Sequence, residues 1–151
     1  MIELLDIALS IAEKAHEGQL RKFTKEPYII HPKSVAARLK KEYPNRNDVE
    51  ILGLLHDVLE DSDFTEQDLW DRGIPEWITV TLNILSHQEG ENYVDYIFKI
   101  SDSHIARRVK LADLEDNMSD LKECSLKDKY RFAYYYLTER ENSENAAKKK
   151  K

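Results

Sequence analysis

The sequence has a single cysteine and no long apolar run. With Cys124 alone no internal disulfide can form, which suits a reducing compartment, and we expect a cytoplasmic protein. A membrane-spanning helix needs about 18 or more consecutive apolar residues. No stretch of this chain approaches that length, so the sequence predicts no membrane segment.

Positive charge is also in short supply. Lys and Arg number 23 against 29 Asp and Glu, which gives a formal net charge of -6 at pH 7. Proteins that bind nucleic acid along its phosphate backbone usually carry a basic face, so we expect no nucleic-acid partner. A small anionic ligand would need a metal or a local cluster of Lys and Arg to attract it.

Glycine and proline are scarce, at four each, and apolar residues recur at helical spacing over long segments. Both features favour helices over a many-stranded sheet. The segment 49–59 is apolar nearly all round, which is typical of a helix at the centre of a domain. It belongs to a helix that the sequence predicts to run to about Asp61. The pattern predicts an all-α protein with one domain over residues 1–139. A polar tail without an apolar face, predicted to be disordered, follows over residues 140–151.

Four ionisable residues lie in and just beyond this central segment: His56, Asp57, Glu60 and Asp61. Unpaired charge is costly to bury, so a bound cation is a natural partner for them. Imidazole and carboxylate groups are common ligands of Zn, Mn and Fe, which makes His56 and Asp57 candidate ligands. Glu60 lies four residues after His56 and Asp61 four after Asp57, so each pair shares a helix face.

Two further runs can complete a metal site. Asp113 follows the mainly apolar run 109–112, with Lys110 three residues earlier and Asn117 four residues later on the same helix face. His31 stands at a helix start set by a proline. Two His and two Asp without sulfur favour Mn²⁺ or Fe²⁺, with Zn²⁺ as an alternative, and leave positions open for water and substrate. On spacing alone, a purely structural role for these residues stays open.

Four ordered motifs resemble the HD hydrolase domain of the RelA/SpoT family over roughly residues 5–121. They are Ala15-His16-Glu17-Gly18-Gln19, Glu26-Pro27-Tyr28-Ile29-Ile30-His31-Pro32, His56-Asp57-Val58-Leu59-Glu60-Asp61, and Val109-Lys110-Leu111-Ala112-Asp113 with Asn117. Their order and spacing are also similar to those of small stand-alone members, among them the metazoan SpoT homologue. The resemblance implies an HD-domain helical bundle. It also implies hydrolysis of the 3′-pyrophosphate of guanosine tetra- or pentaphosphate with Mn²⁺, and so a guanine nucleotide as the small-molecule partner.

The resemblance further implies a role for each residue of the site. The implied metal ligands are His31, His56, Asp57 and Asp113. Glu60 and Asp61 would orient and activate water, and Arg21, Lys22 and Asn117 would contact the nucleotide. Lys110 is the residue that we expect to offset negative charge on the phosphoryl oxygens, and so to bind substrate.

The chain departs from the family pattern at two places. The turn Phe23-Thr24-Lys25 before the second motif has no glycine, and Leu114-Glu115-Asp116-Asn117 stands where the long Rel enzymes carry Arg-Leu-His-Asn. Two alternatives to an alarmone hydrolase therefore stay open. One is an HD phosphohydrolase acting on a different nucleotide or phosphoester, and the other is a catalytically silent metal or nucleotide sensor. Retention of Glu60 and Asp61 argues against a sensor, which needs the ligands but not the water-activating pair.

Overall fold

The computed structural model describes residues 3–150, and the elements in this range are helices. They are α1 Leu4–Ala15, α2 Ile30–Glu42, α3 Asn47–Leu55, α4 Val58–Asp61, α5 Glu66–Asp71, α6 Glu76–Leu85, α7 Tyr93–Ser101, α8 His104–Ser119 and α9 Ser125–Lys149. The extended pairing described in this range is an isolated bridge between Leu20 and Pro27. The all-α prediction is confirmed. Every helix within residues 3–150 is too short or too polar to cross a membrane.

The central element is α3, as its sequence predicts. Six of its nine residues are buried, and it packs against α1, α2, α6 and α8. Apolar side chains on every face therefore find a neighbour. The predicted continuation to Asp61 is interrupted, because α3 ends at Leu55 and α4 begins at Val58. In a continuous helix the Gly53 carbonyl would accept the N–H of Asp57, but here it accepts the ring Nδ1 of His56 at 2.8 Å.

Gly53 allows α2 and α3 to approach each other closely. A Cβ added at Gly53 would lie 2.8 Å from Cα and 3.0 Å from N of Ala36, both backbone atoms of α2. His31 is near the start of α2, and His56 follows the last residue of α3. The close approach at Gly53 therefore lies within two helical turns of each histidine along its own helix.

We expect Gly53→Ala to destabilise the fold by about 1–3 kcal/mol, because the added methyl group overpacks against backbone that cannot rotate away. The measurement is the urea midpoint of unfolding at constant m-value. Lys41→Ala, on the exposed side of α2, serves as the control and should change stability by no more than about 0.5 kcal/mol. An unchanged midpoint for Gly53→Ala would mean that the two helices separate without cost.

The last helix is longer than the sequence predicts. The expected disordered tail starts at residue 140, yet α9 continues to Lys149. The cause is Arg107, which is fully buried on α8 and needs counter-charges there. Its guanidinium donates to Glu141 at 2.9 Å and to Glu144 at 3.1 Å. The prediction of disorder is therefore wrong for residues 140–149, Lys151 lies outside the described residues, and the end of the domain at residue 139 stays a prediction.

Candidate metal centre

Two histidine rings and a carboxylate converge where α2, α3 and α8 meet. Nε2 of His31 lies 3.3 Å from Nε2 of His56 and 3.0 Å from Oδ1 of Asp113. Nε2 of His56 lies 3.5 Å from the same Asp113 oxygen. All three residues are buried, and their ligand atoms lie within 4.8 Å of one another. This group could hold a metal ion.

Asp57 brings a fourth donor to the same point. Its Oδ2 lies 3.0 Å from Nε2 of His56 and 3.6 Å from Nε2 of His31. The structure therefore brings Asp57 close to both histidines, while the ligand atoms that all lie within 4.8 Å of one another belong to His31, His56 and Asp113. A set of two imidazoles and two carboxylates fits a divalent ion such as Mn²⁺, Fe²⁺ or Zn²⁺.

Each histidine ring is held through its other nitrogen. Nδ1 of His56 lies 2.8 Å from the carbonyl oxygen of Gly53, and Nδ1 of His31 lies 2.7 Å from Oδ2 of Asp116. Because an oxygen of either kind accepts a hydrogen bond, we place the ring proton on Nδ1 in both residues. Both Nε2 atoms then face the cluster, which is the arrangement that histidines use to bind metals in proteins.

The electrostatics of the cluster suit a cation. Burial would lower the pKa of His56, but the carboxylates of Asp57 and Asp113 outweigh it and raise that pKa well above its usual value. Burial would raise the pKa of Asp113, but Lys110 and the two histidines outweigh it and hold that pKa well below its usual value. The carboxylates thus stay ionised and favour positive charge at this point, and a metal ion bound at Nε2 of the neutral imidazoles could supply that charge in place of the ring protons.

A pocket of about 430 Å³ opens over the cluster. Eight of the ten predicted site residues line it, and they are Arg21, Lys22, Asp57, Glu60, Asp61, Lys110, Asp113 and Asn117. The other two, His31 and His56, lie buried in the cluster that the pocket covers. Its wall also carries Lys129 and Tyr130 of α9, which the sequence analysis did not connect with the site. The lining of the pocket therefore combines carboxylates with the cations Arg21, Lys22, Lys110 and Lys129, and cations in a pocket attract an anionic ligand.

Lys110 and Asn117 contact Asp113 directly. Nζ of Lys110 donates to Oδ2 of Asp113 at 2.7 Å, and the amide of Asn117 donates to Oδ1 at 2.6 Å. The sequence places both as substrate contacts, and both do line the pocket. The structure adds that they orient the carboxylate of Asp113.

Glu60 and Asp61 belong to the single turn α4 at one side of the pocket. Oε2 of Glu60 accepts the backbone N–H of His87 at 3.0 Å. Burial raises the pKa of Glu60, and burial followed by the charge of Asp57 raises the pKa of Asp61. A raised pKa suits a carboxylate that accepts a proton from water near neutral pH.

Tyr28 is a site residue that the sequence analysis did not assign. Its hydroxyl donates to Oδ2 of Asp57 at 2.7 Å and lies 3.5 Å from Oδ2 of Asp61. Burial and the charge of Asp57 raise its pKa far above the usual value, so the hydroxyl remains a donor. The second motif contained Tyr28, but only its contact across 29 residues shows that it orients Asp57.

Arg21 reaches the pocket with its guanidinium fixed. Nε donates to Asp120 at 3.0 Å and Nη1 donates to Asn117 at 3.3 Å. The turn that follows has no glycine, and Lys25 adopts the left-handed conformation there at φ 64°. This conformation is strained for a residue other than glycine. The turn without glycine therefore places its left-handed residue at Lys25, and Arg21 still lines the pocket.

Known proteins resemble this chain over most of its length, although no protein-family model matches it. A guanosine-3′,5′-bis(diphosphate) 3′-pyrophosphohydrolase of Aquifex aeolicus is 34% identical over 126 residues, which is 79% of this chain and 18% of that protein. The bifunctional (p)ppGpp synthase/hydrolase SpoT of Escherichia coli is 32% identical over 133 residues, 80% of this chain and 18% of that protein. The chain therefore spans less than a fifth of the length of these curated relatives.

A solved structure shares the fold. It is a metazoan ortholog of SpoT, described as hydrolysing ppGpp and acting in starvation responses. The match has a TM-score of 0.77 at 22% identity and covers 93% of this chain and 86% of that chain. The likeness confirms the predicted HD-domain helical bundle.

Proposed function

The chain belongs to the RelA/SpoT family through its HD domain, and from that membership we propose that it hydrolyses the 3′-pyrophosphate of guanosine 3′,5′-bis(diphosphate) with a divalent metal. The observation that carries the proposal is the group of His31, His56 and Asp113, with Asp57 beside both histidines, next to a pocket whose lining includes Arg21, Lys22, Lys110 and Lys129. Relatives that are named for this reaction support the choice of nucleotide.

Mn²⁺ is the proposed ion, and its proposed ligands are His31, His56, Asp57 and Asp113. A divalent ion in this position supplies Lewis acidity toward a phosphoryl oxygen and lowers the pKa of water. Fe²⁺ and Zn²⁺ accept the same donor set. Activity and affinity measured with each of the three ions would identify the one that the protein uses.

The remaining chemistry falls to side chains of the pocket. Glu60 and Asp61 orient the attacking water and accept its proton. The water oxygen joins the phosphorus next to the ribose, the bond from that phosphorus to the 3′ oxygen breaks, and the proton moves to the 3′ oxygen. GDP and pyrophosphate leave. Lys110 offsets the negative charge that builds on the phosphoryl oxygens, while Arg21, Lys22 and Asn117 contact the nucleotide.

A substrate panel tests this proposal. The purified protein is incubated with Mn²⁺ and guanosine 3′,5′-bis(diphosphate), with GTP, GDP and ATP, and with a chromogenic phosphodiester, and pyrophosphate is scored against orthophosphate. We expect equal amounts of GDP and pyrophosphate from the first compound. Orthophosphate or pyrophosphate from another nucleotide alone would favour an HD phosphohydrolase with a different substrate. Tight metal binding without turnover of any compound would favour a sensor.

Arg21→Ala is expected to raise KM for guanosine 3′,5′-bis(diphosphate) about tenfold with little change in kcat. A guanidinium can stack on a purine and pair with phosphate, and the contacts to Asp120 and Asn117 hold it in place for both the ground state and the transition state. The measurement is steady-state kinetics, with Arg46→Ala at an exposed, distant pair as the control. The chromogenic phosphodiester has no base and should be hydrolysed at an unchanged rate. Equal effects on both substrates would show that Arg21 does not recognise the nucleotide.

A further inference from the structure

We propose that Asp116 is a positioning residue that fixes the ring of His31 and thereby sets the metal affinity of the centre. The inference rests on the proposed function in one respect, since it takes His31 as a metal ligand. Asp116 follows Asp113 by three residues on α8 and stands where the long Rel enzymes carry a histidine. None of the roles implied by the family resemblance covers this carboxylate.

Four side chains hold Asp116 in place. Oδ2 accepts from Nδ1 of His31 at 2.7 Å, and Oδ1 accepts from the hydroxyl of Ser34. Nε of Arg38 lies 3.6 Å from Oδ1, and Nη2 of Arg21 lies 3.8 Å from Oδ2. Asp116 itself is only 8% exposed. A carboxylate restrained in this way can hold the imidazole in one orientation.

The ring orientation of each histidine is fixed by a hydrogen bond at Nδ1, but the acceptor differs between the two. His56 uses the carbonyl oxygen of Gly53, which belongs to the rigid backbone of α3. His31 is the second residue of α2, and its acceptor is a side chain on another helix. The orientation of His31 therefore depends on one replaceable side chain, whereas that of His56 does not.

The position of Asp116 also connects two parts of the centre. One turn of α8 supplies a ligand, Asp113, and the residue that orients a ligand on α2. Asp113 and Asp116 point to the two nitrogens of the same ring, with Asp113 at 3.0 Å from Nε2 and Asp116 at 2.7 Å from Nδ1. Loss of Asp116 would free the ring to turn, and Nε2 would no longer be held toward the metal.

The first test measures metal affinity in the absence of nucleotide. Free Mn²⁺ is followed by electron paramagnetic resonance during titration of the wild type and of Asp116→Ala, which has no side-chain acceptor for Nδ1 of His31. We expect the Kd for Mn²⁺ to rise by about 10- to 100-fold, the usual loss when the hydrogen-bond partner of a ligating histidine is removed. Retention of the wild-type affinity by Asp116→Ala would overturn the inference.

Glu115→Gln is the matched control, because Glu115 is adjacent in sequence but contacts Arg38 and Tyr134 outside the pocket. It should leave the Kd within about twofold of the wild type. A loss as large as that of Asp116→Ala would mean that negative charge on this part of α8, rather than the contact to His31, determines the affinity.

A measurement on the unaltered protein decides the question if Asp116→Ala does not fold. The wild type is loaded with Zn²⁺, a diamagnetic probe, and nitrogen-15 magnetic resonance identifies which ring nitrogen of His31 carries the proton. We expect a proton on Nδ1 and the metal on Nε2. Metal on Nδ1 would overturn the inference, because that nitrogen could not then donate to Asp116.

The inference and the proposed function fail in different ways. Weakened Mn²⁺ binding by Asp116→Ala, together with no hydrolysis of guanosine 3′,5′-bis(diphosphate) by the wild type, would remove the proposed substrate and keep the role of Asp116. Hydrolysis by the wild type, together with unchanged Mn²⁺ affinity in Asp116→Ala, would keep the function and remove the role. A wild type that binds neither Mn²⁺ nor Zn²⁺ would overturn both.

Discussion

Asp57→Ala is expected to reduce bound metal to background and to slow nucleotide hydrolysis by about 10³-fold or more. Asp57 presents Oδ2 to both histidines, at 3.0 Å from Nε2 of His56 and 3.6 Å from Nε2 of His31. Its removal takes away one of the two carboxylates that compensate the ion. A catalytic metal contributes several kcal/mol to the transition state, and each 1.4 kcal/mol is about tenfold in rate. Elemental analysis after dialysis and single-turnover kinetics measure the two effects.

Asp63→Ala is the control for this variant, because Asp63 is an exposed aspartate on the loop directly after α4. It should keep the metal content and the rate of the wild type. A full metal complement in Asp57→Ala would instead leave His31, His56 and Asp113, whose ligand atoms already lie within 4.8 Å of one another, as the binding group.

Three of the candidate ligands could be proposed because they lie within or next to apolar, helical runs. His56 and Asp57 directly follow the most buried helix, and Asp113 faces inward from α8. Ionisable residues among buried neighbours require a compensating partner, whereas His31 is indicated only by the proline after it and by the family resemblance. The structure brings them together, while their binding of a metal stays a proposal.

The residues that orient these ligands could not be assigned in the same way, because their partners are distant in sequence. Tyr28 meets Asp57 across 29 residues, and His31 meets Asp116 across 85. Such pairs depend on how the helices pack, which helical spacing does not determine. One local feature does indicate Asp116: it lies three residues after Asp113 and therefore near the same face of α8.

The tail shows how composition alone can mislead. Residues 140–151 have no apolar stripe, which favours disorder in a sequence considered locally. Helix α9 nevertheless continues, because buried Arg107 on α8 requires the carboxylates of Glu141 and Glu144. The buried charge of Arg107 lies in α8, 34 residues before Glu141. Its contact with Glu141 depends on how the two helices pack, which the local sequence does not show.

Glu60→Gln and Asp61→Asn are each expected to keep the metal and to slow hydrolysis by about 10²-fold or more, the usual loss for an acid–base group. Both substitutions preserve shape and remove the charge that accepts a proton from water. The measurements are metal content and kcat for guanosine 3′,5′-bis(diphosphate), with Asp63→Asn, on the loop directly after α4, as the control. Near-normal rates in both variants would mean that neither carboxylate takes part in activating water.

The two carboxylates have different surroundings, so the double variant can separate their roles. Glu60 is held by the backbone N–H of His87 at 3.0 Å, whereas Asp61 lies 3.5 Å from the Tyr28 hydroxyl that also contacts Asp57. If both act on one water molecule, the double variant should be about as slow as the slower single variant, because residues that work as a unit are not additive. If each acts in a separate step of proton transfer, the two losses should multiply.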